Sequence, residues 1–101
     1  MLHPALKDNI EKVIDLCKKH RVTRLHAFGS VTSPQFNDES DIDLLVSFDK
    51  EYFEGYADNY FDLEEKLINL LHRKVDIVSE ATLSNPYFID SLNKSKQLIY
   101  G

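Results

Sequence analysis

Asp41 and Asp43 stand two residues apart at the head of an apolar run, Ile42-Asp43-Leu44-Leu45-Val46-Ser47-Phe48. In an extended chain successive side chains alternate between faces, so the two carboxylates project the same way. Such a pair suits a hard divalent cation such as Mg²⁺, which takes oxygen ligands, commonly one or two carboxylates plus substrate phosphates. A second apolar run, Lys74-Val75-Asp76-Ile77-Val78, carries Asp76 opposite to Val75 and Ile77. Asp76 is the further strand-borne carboxylate that alternation sets on the same face as Asp41 and Asp43. Two ions roughly 3.5–4 Å apart stabilise the attacking and leaving oxygens of an in-line phosphoryl displacement. The spacing leaves one ion or two open. Upstream, Gly29-Ser30 closes a short run, Leu25-His26-Ala27-Phe28, at a turn. Gly allows close backbone approach to a phosphate, Ser adds a hydroxyl, and a helical turn from Val31 would aim free N–H groups at the same anion. A phosphate cradle beside a carboxylate-held metal is what holding a nucleoside triphosphate requires.

The elements that must position these residues follow from periodicity. Leu6, Ile10, Val13, Ile14 and Cys17 recur at helical spacing and predict a helix from Pro4 to His20, with Pro4 at its first position. Arg21–Arg24 reads as a connection, Leu25–Phe28 as a short strand, and residues 31–40 as a polar loop with one helical turn after Ser30. Ile42–Phe48 is the clearest strand. Residues 49–58 read as loop, Asn59–His72 as a helix with Leu63, Leu67, Leu70 and Leu71 inward, and Lys74–Val78 as a strand. Asn85 caps a last helix that begins at Pro86 and ends near Lys94–Lys96. Leu98–Tyr100 closes the chain in extended form. The expectation is an α/β fold. It has a mixed sheet of three to four strands, helices packed on one face, and an open face bearing Asp41, Asp43 and Asp76. Carboxylates desolvate at high cost, so that face needs water or a cation.

Composition sets the bounds. Leu, Ile, Val and Phe make up 32 of 101 residues, well above the roughly 20% below which disorder is expected. With no repeat or linker, the chain reads as one domain, 1–101. Twelve basic against 17 acidic residues leave a net charge of −5. That balance argues against a long nucleic-acid partner, whose binding rests on phosphate neutralisation by Lys and Arg. The single Cys17 excludes an internal disulfide framework and fits a reducing cytoplasm. No apolar run approaches the ~20 residues of a membrane span, and no leader pattern opens the chain.

Other residues have plainer readings. His3, His20, His26 and His72 lack metal-ligand spacing with one another or with Cys17. Cys17 falls on the inward helical stripe and reads as a core residue. Lys18-Lys19-His20-Arg21 reads as a solvated helix end whose cations oppose the macrodipole. Tyr52, Phe53, Tyr56, Tyr60 and Phe61 either pack over the sheet edge or form a nucleobase shelf or partner patch. Asp38 and Glu39 solvate a loop and add negative potential.

The stretch Phe28-Gly29-Ser30 … Ser40-Asp41-Ile42-Asp43-Leu44-Leu45-Val46 resembles the minimal nucleotidyltransferases of the DNA polymerase beta superfamily. Their signature is Gly-Ser, a spacer of about this length, then Asp-x-Asp. The likeness continues through Lys74–Val78 and, more loosely, through Pro86–Tyr100. The resemblance implies that Gly29 and Ser30 contact the triphosphate and that Asp41 and Asp43 bind Mg²⁺. Asp76 then completes the metal site and helps activate the acceptor hydroxyl. Stand-alone members are often antitoxins paired with a small, all-helical HEPN-type toxin, so the implied reaction moves AMP from ATP to a tyrosine of that toxin. The alternative is a catalytically weak or inactive antitoxin that neutralises its partner by binding alone. One departure bears on this. Many relatives carry an Arg and a Gly just after the Gly-Ser pair, whereas this chain has Val31-Thr32-Ser33-Pro34. Arg24 or Lys74 then stands as the substitute cation, or activity is low.

Overall fold

The computed structural model describes residues 4–37, 39–50 and 53–101. In chain order it comprises α1 (Pro4–Lys7), α2 (Ile10–Lys19), β1 (Val22–Phe28), a 3₁₀ turn (Gly29–Thr32) and β2 (Ile42–Phe48). There follow α3 (Tyr56–Leu71), β3 (Val75–Ser79), a second 3₁₀ turn (Glu80–Thr82), α4 (Pro86–Ser95) and β4 (Gln97–Tyr100). His3, Asp38 and Tyr52, read above from sequence, lie outside the described residues.

The four strands form one sheet in the order β3-β2-β1-β4. β1 runs antiparallel to β2 and β4, and β2 runs parallel to β3. The parallel pair needs a crossover, which α3 supplies. Alternation sorts the strands as the sequence predicts. Leu25, Ala27, Ile42, Leu44, Val46, Val75 and Ile77 join one core with Leu6, Val13, Cys17, Leu63 and Leu67. Each fully buried Leu contributes about 1.5–3 kcal/mol relative to exposure.

Several elements depart from the sequence reading. The expected Pro4–His20 helix is broken after Lys7. Asn9 adopts φ −115°, ψ 12°, and its side-chain amide donates to the Ala5 carbonyl at 3.1 Å. An Asn side chain that competes for backbone carbonyls is a common reason for such a break. The connection expected at Arg21–Arg24 shrinks to His20 and Arg21: α2 ends at Lys19, Arg21 takes φ 63°, and β1 begins at Val22. A register shift between Val22 and Arg24 interrupts the alternation, which hides the first half of this strand. α3 starts at Tyr56 rather than Asn59, because Gly55 turns the chain at φ 79° just before it. β4 is a paired strand, not merely an extended tail.

α4 corrects the expectation that helices pack on one face alone. Its Leu92 buries with Phe28 and Leu45 on the second face, beside Val78 and Leu83. Leu45 and Val78 share the carboxylates' phase on β2 and β3, so α4 covers part of the face expected to be open. Its cap is as predicted: the Asn85 side chain accepts from the Tyr87 and Phe88 amides at 2.9 and 3.3 Å.

Candidate active site

Register brings the sequence-predicted residues to one end of the sheet. β1 ends at Phe28, which pairs with Asp43 near the start of β2. β3 enters parallel to β2, so Asp43 pairs with Asp76. Both neighbours of Asp43, Ile42 and Leu44, are in the first core, so its carboxylate takes the opposite face. The same holds for Asp76 between Val75 and Ile77.

Gly29 and Ser30 adjoin these carboxylates. Gly29 has φ +72°, and a Cβ built on it would lie 2.7 Å from Oδ2 of Asp43. Glycine is therefore required here both by backbone conformation and by the approach of the carboxylate. The Ser30 hydroxyl donates to the Asp41 carbonyl at 3.4 Å. The expected helical turn forms as 3₁₀ over Gly29–Thr32, and the Thr32 hydroxyl donates to the Gly29 carbonyl at 2.7 Å.

The electrostatics follow from this crowding. Burial raises the Asp43 pKa above the ordinary carboxylate value, and the negative charges of Asp76 and Asp41 raise it further, while Lys74 opposes them. Lys74 Nζ lies 3.8 Å from Asp41 Oδ2 and is the cation beside this group. Arg24, the other cation weighed from sequence, is not there. It pairs with Ser47 in the strand register, four residues beyond Asp43 and thus ~13 Å along β2. Its guanidinium sits 3.9 Å from Glu80.

An all-oxygen set of mutually repelling carboxylates suits a hard divalent cation. Among the described residues, no three His, Cys, Asp or Glu side chains are already gathered as a metal cage. Asp41 instead leans toward Lys74, whose single charge offsets part of the repulsion. The donor chemistry fits Mg²⁺, and Asp41, Asp43 and Asp76 are the side chains that would hold it.

Two residues carry more than sequence reasoning assigned them. Arg73 NH1 donates to the carbonyls of Asn37 at 3.1 Å and Ser40 at 3.2 Å, reaching the loop that leads into Asp41. His20, read as part of a solvated helix end, is buried; its ring bonds the Leu16 carbonyl at 2.7 Å and the Asp62 carboxylate at 2.6 Å. The Arg73 contacts and the His20–Asp62 contact have no local sequence signal, because each joins segments distant in the chain. Cys17 is buried as expected, and burial pushes its thiol up to about 12. Of the aromatics, Phe48, Phe53, Tyr56 and Tyr60 pack on one another. The Tyr60 hydroxyl donates to the Ile77 carbonyl at 2.5 Å. Phe61 remains 62% exposed. Packing thus accounts for most of this cluster.

Comparison with known proteins places the chain. Residues 11–101 match the family described as Polymerase beta, Nucleotidyltransferase. The chain is 34% identical over 82 residues to "Putative protein adenylyltransferase MJ1379" of Methanocaldococcus jannaschii, covering 81% of this chain and 79% of that relative. A solved structure described as a "putative minimal nucleotidyltransferase" superposes with a TM-score of 0.77 at 32% identity, over 96% of this chain and 95% of the other. A solved complex of a tri-AMPylated Shewanella oneidensis HEPN toxin with its MNT antitoxin matches in fold, with a TM-score of 0.69 at 21% identity, covering 94% of this chain and 71% of the other. The chain therefore belongs to the polymerase beta nucleotidyltransferase family. It is a nucleotidyltransferase with the fold of the minimal members.

Among the described residues, no helix is long and apolar enough to cross a membrane.

Proposed function

We propose that this chain, acting as a single domain, transfers AMP from ATP to a tyrosine hydroxyl of a small helical HEPN-type toxin and thereby silences it. The observation that carries this reading is the register: Gly29 follows the residue paired with Asp43, and Asp43 is paired with Asp76. The adenylyltransferase name of the M. jannaschii relative and the AMPylated toxin of the Shewanella complex support the choice of group and acceptor.

In this reading the turn at Gly29 and Ser30 contacts the triphosphate at the strand end, and the Ser30 hydroxyl donates to it. Asp41, Asp43 and Asp76 would hold Mg²⁺, one ion or two, which when bound would offset charge on the α-phosphate and the leaving pyrophosphate. Asp76 also accepts the proton of the acceptor hydroxyl. The acceptor oxygen forms a bond to the α-phosphorus, the α–β bridging bond breaks, and pyrophosphate leaves. Lys74, beside Asp41, is the cation best placed to face the phosphates in place of the Arg that relatives carry after Gly-Ser.

The test is intact-mass measurement of the helical protein encoded beside this gene after incubation with ATP, Mg²⁺ and this chain. An adenylate-sized increment, lost with a folded Asp43→Asn variant, is expected. No increment with the wild-type protein contradicts transfer. The Val31–Pro34 segment, which lacks the Arg that relatives carry after Gly-Ser, favours a second reading, silencing by occlusion alone. Under occlusion, Asp41→Asn and Asp43→Asn still protect cells from the toxin. Under catalysis, protection is lost while the complex still forms.

A further inference from the structure

The loop entering β2 must hold Asp41 and Asp43 steady, yet it is built largely of small polar residues. Its internal ties are local: the Glu39 amide to the Asn37 side chain at 2.8 Å, and the Asn37 amide to the Ser40 hydroxyl at 3.2 Å. The main apolar anchor is Phe36, 7% exposed and seated in the first core. Over the ring of Phe36 lies the Arg73 guanidinium, 4.7 Å from its centroid. The same guanidinium grips the carbonyls of Asn37 and Ser40 through one nitrogen, at 3.1 and 3.2 Å. Its Nε is buried and meets no acceptor among the described residues. The next residue continues the contact. The Lys74 carbonyl accepts from the Ile42 amide at 3.0 Å, and the Lys74 ammonium approaches Asp41. So the dipeptide that opens β3 holds the loop on both sides of Asp41.

The geometry points to Arg73 as a positioning residue for nucleotidyl transfer: stacked on Phe36 and bonded to the Asn37 and Ser40 carbonyls, it sets the place at which Asp41 and Asp43 meet metal and nucleotide. This rests on the transferase reading above. Arg73 touches neither substrate nor reacting atoms; it acts through the loop. The guanidinium does two things at once here, sitting over a ring while donating to two carbonyls. A Lys ammonium is a point charge without the planar guanidinium fork.

The test compares wild type, Arg73→Gln, Arg73→Lys and Phe36→Leu as full chains, each first shown to be folded by circular dichroism. Mn²⁺ alone is the probe, titrated by electron paramagnetic resonance. Loss of an outer-shell partner typically weakens metal binding about 10–100-fold, and that is the drop expected for Arg73→Gln. Arg73→Lys falls in the same direction and does not restore wild-type binding. Phe36→Leu, which keeps an apolar anchor but removes the stacking surface, shows a smaller loss and serves if Arg73→Gln does not fold. In the transfer assay kcat falls by more than KM for ATP changes, because Arg73 holds the loop before Asp41 and is bonded to neither Gly29 nor Ser30. Amide exchange at Ile42 and Asp43 quickens in Arg73→Gln. Wild-type Mn²⁺ affinity together with wild-type exchange at Ile42 in Arg73→Gln overturns the assignment, as does full recovery by Arg73→Lys. If the wild-type chain neither binds Mn²⁺ nor transfers, the transferase reading falls, and the Ile42 exchange rates alone decide whether Arg73 holds the loop.

Discussion

Gly29→Ala perturbs the site at one atom. The residue sits at φ +72°, and the new Cβ would stand 2.7 Å from Asp43 Oδ2, nearer than Cβ atoms approach other atoms. The left-handed backbone costs a non-glycine residue about 1–2 kcal/mol. Moving the Asp43 carboxylate aside adds about 0.5–1.5 kcal/mol if it leaves its rotamer. The sum, about 1.5–3.5 kcal/mol, corresponds to a fall in Tm of roughly 6–28 °C for a chain of this size. The two contributions separate in a double-mutant cycle. The Asp43 Cβ lies 3.7 Å from the added methyl, an ordinary contact. In an Asp43→Ala background, therefore, the collision vanishes and only the backbone cost remains. Denaturant unfolding of the four proteins gives the coupling, expected at about 0.5–1.5 kcal/mol. A Gly29→Ala penalty that is the same with Asp43 or Ala at position 43 would refute the contact. A Gly29→Ala protein as stable as wild type would refute both parts of the reasoning. Transfer by Gly29→Ala should fall about 100-fold, since a shift near 1 Å at reacting groups costs that order.

Other predictions concern charge, burial and core. Without metal, Asp43→Asn should melt above wild type, because it removes one of three repelling carboxylates, while abolishing transfer; differential scanning calorimetry with and without Mg²⁺ checks the first half. The Asp62 pKa is lowered by bonds from Lys66 and His20. Its contribution to stability is therefore complete above the unfolded value near 4 and lost as pH falls through the lower native value. Urea midpoints for Asp62→Asn should lie below wild type at pH 6 and converge on it toward pH 2. Leu67, fully buried in α3, should cost about 2–5 kcal/mol on replacement by Ala, read from chemical denaturation. Cys17 should resist a thiol reagent in the native protein and react fully in denaturant.

The parts of the fold legible in sequence are those whose signal is local. β2 runs from Ile42 to Phe48 as its alternation says, and the Asn85-Pro86 start of α4 follows from capping chemistry. What was not legible depends on distant partners. Leu6 on one side of the Asp8–Asn9 break and Val13 and Cys17 on the other enter the same core, so the apolar spacing does not show the break. β1 lost its first residues to a register shift visible only once β2 is beside it. α4 shows an apolar side in sequence, but nothing local says which sheet face receives it. The juxtaposition of Asp43 with Asp76 followed from matched alternation, whereas the grip of Arg73 on the loop did not. That grip runs to main-chain carbonyls, which every residue type offers equally.

The central claim is that Asp41, Asp43 and Asp76 act together beside Gly29-Ser30. Its most direct test is a crystal of this chain grown with Mn²⁺ and a non-hydrolysable ATP analogue, with the ion located by anomalous scattering. The account predicts a peak ligated by Asp41 and Asp43, with Asp76 facing it and the analogue's phosphates against Gly29 and Ser30. A nucleotide seated elsewhere, with Asp41 still turned to Lys74 and no ion among the three carboxylates, would contradict it.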